Sequence, residues 1–123
     1  MIAGTGGMGQ ATGLLLRELG DFDVDLYLGD ADAQKAREAA EWICLDSSRC
    51  GAVEPFLLPL EGTSDGFDTV LRDADLLLDC LPGEEATRMA RLARGNRLHY
   101  ANLTEYVKAT NEITELAQGA EQG

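Results

Sequence analysis

The chain opens with MIAGTGGMGQ (residues 1–10), in which a short apolar run leads directly into a cluster of glycines. Gly4, Gly6 and Gly9 have the spacing G-x-G-x-x-G. The spacing alone is weak evidence, because a chain with 14 glycines can produce it by chance. The context is more specific, since the pattern follows a strand-like start and opens a helix-like segment. These residues therefore predict a strand, a phosphate-binding turn and a helix, in that order.

The rest of the chain alternates short apolar runs with longer amphipathic stretches. We predict a first helix over residues 10–19 that ends at Gly20. Its apolar positions recur at helical spacing, at Ala11, Leu14, Leu15 and Leu19. Further strands are predicted over residues 24–28, 53–60, 75–80 and 97–103, and further helices over 32–45 (capped by Asp32), 65–72, 84–94 and 106–118. Strands that alternate with helices imply a parallel sheet with right-handed crossovers.

The predicted fold class is α/β: a Rossmann-type doubly wound parallel sheet with strand order 3-2-1-4-5, in three α/β/α layers. Pro55 and Pro59 fall within the third strand, and proline cannot donate a hydrogen bond to its neighbour in a sheet. This order places the third strand at an edge, where proline is tolerated. Only residues 1–3 precede Gly4, so we expect either that the chain starts late or that the central strand is clipped.

Each part of the glycine turn has a physical role in binding a dinucleotide. Gly4 permits the tight turn, Gly6 lets the backbone approach the pyrophosphate, and Gly9 lets the helix pack close to the first strand. Free N–H groups at the start of the helix point at the phosphates, whose charge the helix dipole favours. The predicted cofactor-binding residues of this turn are Gly4, Thr5, Gly6, Gly7, Met8 and Gly9. The alternative is a turn that only reverses the chain.

A carboxylate follows the second predicted strand at the distance that such a site requires. Asp30 lies 21 residues after Gly9, and the expected spacing is about 20 residues. Its carboxylate would accept hydrogen bonds from the hydroxyls of the adenosine ribose. The same charge repels a 2′-phosphate, and the neighbouring Ala31 supplies no compensating cation. The predicted cofactor is therefore NAD or NADP, with NAD preferred.

Two further loops are predicted to border the cofactor, because ligands of open α/β sheets bind at the carboxyl ends of the strands. Leu60 and Glu61 end the third strand and would border the adenine. Leu81 and Pro82 follow the fourth strand and would lie beside the pyrophosphate and the nicotinamide half. The sequence singles out no catalytic residue.

Several residues with chemical potential are interpreted as structural. Four arginines recur every three residues, at Arg88, Arg91, Arg94 and Arg97. A solvated helix face with favourable charges near the helix C-terminus explains them better than a phosphate-binding stripe. Cys80 is interpreted as a small packed side chain rather than a redox thiol. His99 is interpreted as a packed residue of the fifth strand rather than a catalytic base.

The composition and charge of the chain argue against several classes of function. The chain of 123 residues carries a formal net charge of −12, and such a surface repels a nucleic-acid backbone. None of its apolar runs reaches the roughly 20 residues of a membrane helix, and we expect no signal peptide, because no basic region leads into an apolar one. Three cysteines without CxxC spacing favour free thiols in a reducing cytoplasm, and a single histidine excludes a His-rich metal site. We expect a cytoplasmic domain that binds no nucleic acid, no membrane and no metal.

Four segments of the chain form a distinctive combination. They are GTGGMGQA (4–11), GDAD (29–32) with the following QKA (34–36), the strand that leads from Ala74 to Cys80-Leu81-Pro82, and HYANL (99–103). Together they resemble the N-terminal NAD(P)-binding domain of the saccharopine dehydrogenase-like family, and the resemblance spans the whole chain. Asn102 stands where that family usually has aspartate, and Ala31 where it often has a basic residue.

The resemblance implies an oxidoreductase that forms or cleaves the C–N bond of amino-acid-like secondary amines, with hydride transfer to or from the nicotinamide. Substrate-binding residues of the family lie mostly in a later domain. Residues 1–123 are therefore expected to be a single NAD(P)-binding domain at the front of a longer enzyme, inactive by itself, and the oligomeric state stays open. Two alternatives also stay open: a regulatory nucleotide-binding module like those of potassium channels and transporters, and a degenerate interaction module that binds nothing.

Overall fold

The computed structural model describes residues 1–19, 21–45 and 51–120. In those residues, five strands alternate with five α-helices. The strands are Ile2–Ala3 (β1), Leu26–Asp30 (β2), Val53–Leu57 (β3), Leu76–Asp79 (β4) and His99–Asn102 (β5). The helices are Gly7–Leu19 (α1), Ala33–Cys44 (α2), Asp65–Asp73 (α3), Ala86–Gly95 (α4) and Val107–Ala117 (α5), with a 3₁₀ turn over Gly83–Glu85 before α4. This alternation confirms the predicted α/β class.

The strands form one parallel sheet in the order β3-β2-β1-β4-β5, which confirms the predicted Rossmann-type topology. Ile2 of β1 pairs with Leu28 of β2 on one side and with Leu78 of β4 on the other. The edge strand β3 contains Pro55, as predicted from the missing N–H of proline. Because all strands run the same way, their carboxyl ends meet at one edge of the sheet, and the strand order reverses beside β1.

Two apolar clusters lie on opposite faces of the sheet. Leu77 packs with Phe67 of α3 and Met89 of α4 on one face. On the other face, Leu28 packs with Ile43 of α2. Successive side chains of a strand point to opposite faces, so strands β1 to β4 contribute to both clusters. The result is the predicted arrangement of three layers.

Helix α1 differs from its prediction in both its start and its buried face. It begins at Gly7 rather than Gln10, and its buried residues are Gly9, Gly13 and Arg17. The predicted apolar face is wrong: Ala11, Leu15 and Leu19 are exposed, and Leu14 is only half-buried. The reason is close approach, since a Cβ on Gly13 would lie 2.8 Å from the Ile43 side chain. Apolar periodicity misses a helix face whose contact residues are glycines.

The ends of the other elements place the site residues. Asp32 caps α2 as predicted, with its side chain accepting hydrogen bonds from the N–H groups of Gln34 and Lys35. Strand β2 extends to Asp30, which is therefore its last residue rather than the residue after it. Strand β3 ends at Leu57, so Leu60 lies in the following loop. Gly20, predicted to end α1, lies outside the described residues, as does Cys50.

Candidate functional site

A cleft of about 450 Å³ opens at the carboxyl edge of the sheet, where the strand order reverses. Its walls come from the loops that follow β1, β2, β3 and β4 and from the start of α4. Seven predicted site residues line it: Gly4, Gly6, Asp30, Ala31, Leu60, Leu81 and Pro82. Four others do not: Thr5 and Gly9 are buried, while Gly7 and Met8 are exposed at the start of α1. Tertiary structure therefore brings four separate segments to one opening.

The turn after β1 depends on Gly4. Its φ of +93° lies in the left-handed region that favours glycine, and its N–H donates to the Gly29 carbonyl oxygen at 2.7 Å. A Cβ at this position would lie 3.0 Å from the Cys80 carbonyl oxygen. The turn is thus locked between the ends of β2 and β4, as the predicted role of Gly4 requires.

The start of α1 presents free backbone donors beside the turn. Its first internal hydrogen bond runs from the Gln10 N–H to the Gly6 carbonyl oxygen at 3.0 Å, so the preceding N–H groups have no acceptor within the helix. The Gln10 side chain also donates to the Thr5 carbonyl oxygen at 2.7 Å, which holds the turn in place. A Cβ on Gly6 would meet no atom of the described residues within 4 Å. This space is open to a phosphate group, which fits the cradle proposed from the sequence.

Asp30 is held in place by Thr5 rather than by a solvated turn. Its Oδ2 accepts the Thr5 hydroxyl at 2.7 Å and the Thr5 N–H at 3.0 Å, while Oδ1 accepts the Asp32 N–H at 3.0 Å. Partial burial raises the pKa of Asp30, but the hydrogen bonds from Asp32 and Thr5 outweigh it and lower the pKa below its usual value. A carboxylate offers about four acceptor positions, so one on Oδ1 is left for a ligand hydroxyl.

Thr5 therefore supports the site by binding Asp30 and does not line the cleft itself. It is only 3% exposed, and both of its donors are used by Asp30. Its effect on a ligand passes through the orientation of the Asp30 carboxylate. The sequence motif predicts that Thr5 lies in the turn but does not reveal this contact.

Arg88 corrects the prediction of a uniformly solvated arginine face. Arg91 and Arg94 are exposed, but Arg88 is half-buried and lines the cleft. Its guanidinium donates to the Pro59 carbonyl oxygen and forms a 3.4 Å ion pair with Glu85. Arg88 thereby ties the loop after β3, which forms one wall of the cleft, to the start of α4.

Sequence analysis missed Asp79, the last residue of β4. Its carboxylate is only 2% exposed. Oδ1 accepts the Leu81 N–H at 2.9 Å, and Oδ2 accepts the Tyr100 hydroxyl at 2.9 Å. Burial raises the pKa of Asp79, and the hydrogen bonds from Leu81 and Tyr100 oppose this rise without cancelling it. A carboxylate that ends an otherwise apolar strand was the available signal.

Cys80 and His99 are placed differently from each other. Cys80 is half-buried in the cleft wall, where burial and then the Asp79 charge raise the pKa of its thiol, which makes it a poor nucleophile. His99 is exposed on β5, so its predicted packing is wrong. In the described part of the chain, no three His, Cys, Asp or Glu side chains cluster closely enough to hold a metal ion. The helices of that part include none with the length and apolar character needed to cross a membrane.

Comparison with known proteins gives one family match. The family model described as "Saccharopine dehydrogenase NADP binding domain" matches residues 1–123, the whole chain. No curated protein matches the chain. The family match agrees with the Rossmann-type sheet order.

Proposed function

This chain belongs to the saccharopine dehydrogenase NADP-binding domain family, and we propose that it holds the nicotinamide cofactor of an oxidoreductase acting on amino-acid-like C–N bonds. When bound, the cofactor supplies the hydride chemistry, and the protein supplies binding and orientation. The observation that carries the proposal is the cleft in which Gly4 and Gly6 of the glycine turn converge with Asp30.

The cofactor would lie across the carboxyl edge of the sheet. The turn at Gly4 and Gly6, with the free N–H groups of α1, would hold the pyrophosphate. The unused acceptor position on Asp30 would take a ribose hydroxyl. Leu60 would border the adenine, and Leu81 with the adjacent Pro82 would border the nicotinamide half. The net charge of −12 opposes an anionic ligand, so these local donors must supply the affinity.

Titration of the chain with NAD and NADP at fixed salt tests this function. We expect binding of a dinucleotide, which at about 100 times its Kd stabilises the folded state by about 2.7 kcal/mol. Gly6→Ala should abolish that binding while the free energy of unfolding stays within about 1 kcal/mol, since its Cβ meets no atom of the described residues within 4 Å but would fill the phosphate space.

Gly66→Ala is the matched control, because Gly66 also has open space at its Cβ position but lies in α3 and does not line the cleft. It should bind dinucleotide as the unmodified chain does. The function proposed here is wrong if neither NAD nor NADP binds, and the cradle is wrong if Gly6→Ala binds normally.

We propose that NAD is preferred over NADP, although the matching family is described as binding NADP. The lowered pKa of Asp30 keeps its carboxylate charged at the ribose end of the cleft. A 2′-phosphate would have to lie beside this charge and next to the uncharged Ala31. Like charges at that distance repel. Among the described residues, Lys35 is the one cation whose charge helps to lower the pKa of Asp30.

Asp30→Ala should weaken NAD binding by about tenfold or more, the effect of a hydrogen bond to a charged group. NADP binding should change less, because the substitution also removes the repulsion. Calorimetric titration with both cofactors measures the ratio of the two Kd values. Asp32→Ala removes the same charge from the helix cap and should lower stability by about 1 kcal/mol with that ratio unchanged. A preference for NADP in the unmodified chain would contradict the role of Asp30 but not the site.

We further propose that residues 1–123 are the cofactor domain at the front of a longer cytoplasmic enzyme, with the substrate domain elsewhere in that protein. Support for a reducing compartment comes from Cys44 and Cys80, which are both free thiols. Among the described residues that line the cleft, Cys80 has a raised thiol pKa and is a poor nucleophile, so the isolated chain is expected to bind cofactor without turnover. An assay of the isolated chain for amine-dependent NAD reduction checks this expectation.

A further inference from the structure

The carboxyl ends of β4 and β5 carry a group of polar side chains, buried at Asp79 and half-buried at Tyr100 and Asn102, that the cofactor contacts proposed above do not use. The two strands pair in register, with Asp79 opposite Asn102. The Tyr100 hydroxyl reaches Asp79 Oδ2 at 2.9 Å. The Asn102 Oδ1 accepts the Thr104 N–H at 3.1 Å.

The hydrogen-bonded groups around Tyr100 have too few protons when Asp79 is ionised. The Tyr100 hydroxyl lies 2.9 Å from Asp79 Oδ2 and 3.0 Å from the Ala86 carbonyl oxygen. A phenol has one proton, so with Asp79 ionised it can donate fully to only one of these two acceptors. With Asp79 protonated, Asp79 donates to Tyr100 and Tyr100 donates to Ala86. The protonated carboxyl group therefore satisfies every contact.

The groups around Asp79 also affect whether its carboxyl group is protonated. Burial raises its pKa, and the nearby Glu85 adds to the rise. The Leu81 N–H, the Tyr100 hydroxyl and Arg88 act in the opposite direction, and the net pKa lies above the usual aspartate value. An anionic pyrophosphate in the cleft would add negative charge and favour the proton further.

These contacts hold both ends of the turn over residues 81–86. The Leu81 N–H is bound to Asp79 at the start of the turn, and the Ala86 carbonyl is bound to Tyr100 at its end. Leu81 and Glu85 within the turn line the cleft. Movement of the turn away from Tyr100 would therefore reshape the wall that faces the ligand.

We propose that Asp79 and Tyr100 are positioning residues of the cofactor cleft, and that they hold the 81–86 turn in its binding geometry when Asp79 carries a proton. This inference rests on the proposed function, because its readout is dinucleotide affinity. When Asp79 loses its proton, Tyr100 has one hydrogen for two acceptors, Asp79 and the Ala86 carbonyl oxygen. The hydrogen bond to Ala86 that holds the end of the turn is then lost. Cofactor binding should then be linked to proton uptake at Asp79.

The test is the Kd for NAD measured by calorimetry from mildly acidic to mildly alkaline pH. In the unmodified chain, the Kd should rise with pH, by at most tenfold per pH unit for one linked proton. Asp79→Asn presents a donor to Tyr100 and an acceptor to Leu81, as the protonated acid does, so its affinity should stay high and lose this slope. Tyr100→Phe removes the link to Ala86, so its affinity should be low and also lack the slope.

Asp75→Asn is the matched control, because Asp75 is exposed at the opposite end of β4. It should keep both the affinity and the slope of the unmodified chain. A ¹³C NMR titration of the carboxyl groups, assigned by the signal lost in Asp79→Asn, measures the Asp79 proton independently of any ligand.

The outcomes separate this inference from the proposed function. If no dinucleotide binds at any pH, the proposed function fails and this inference fails with it. If NAD binds with the same slope in the unmodified chain and in Asp79→Asn, the proposed function stands and the positioning role of the proton is overturned. An Asp79 carboxyl that titrates at or below the usual aspartate pKa overturns it as well.

Discussion

Gly9→Ala is expected to lower the free energy of unfolding by about 3 kcal/mol or more, the upper part of the range for overpacked interiors. A Cβ on Gly9 would lie 1.9 Å from the carbonyl oxygen of Gly4, and both groups belong to the backbone. No side-chain rotation can relieve such a contact, so either α1 or the turn after β1 must move. Because that turn is the proposed phosphate cradle, dinucleotide binding should be lost together with stability.

Urea unfolding of Gly9→Ala against Gly66→Ala measures this effect. Gly66 lies in a helix with open space at its Cβ position, so alanine there should leave stability unchanged or raise it by up to about 1 kcal/mol. Gly9→Ala with stability within about 0.5 kcal/mol of the unmodified chain would show that α1 does not approach the turn this closely.

Phe67→Ala is expected to lower the free energy of unfolding by about 3–5 kcal/mol, as for other buried aromatic side chains. Phe67 is 0% exposed and stacks on Phe56, with 5.7 Å between ring centroids and 13° between ring planes. It belongs to the same cluster as Leu58, which lines the cleft. The cavity left by alanine would therefore weaken both the core and the support of the cleft wall at Leu58.

Phe22→Ala is the control for this prediction, because Phe22 is 56% exposed and should change stability by no more than about 0.5 kcal/mol. A loss of 3–5 kcal/mol is a large share of the about 5–15 kcal/mol typical of a folded domain. Saturating NAD should restore part of the lost stability if the cleft still forms in the variant. Equal and small effects for the two phenylalanines would contradict the assignment of Phe67 to the core.

The fold could be predicted to a large extent because its signals are local. The glycine spacing, the alternation of apolar runs and the prolines of the predicted third strand together predict a parallel sheet and its strand order, and the structure confirms both. The prediction was wrong for the buried face of α1, because glycine has no side chain to contribute to an apolar pattern. It was also wrong for Arg88, since spacing within one helix carries no information about the distant Pro59 carbonyl.

The candidate site divides in the same way. By itself, the sequence determined the turn at Gly4, which needs a left-handed φ, and the position of Asp30 at the end of β2, because both depend on residues close to each other in the chain. Only the tertiary structure decided that Thr5 holds Asp30 and that Tyr100 holds Asp79. Those contacts depend on which strands pair and in which register, and a side chain finds its hydrogen-bond partner only when that pairing is formed.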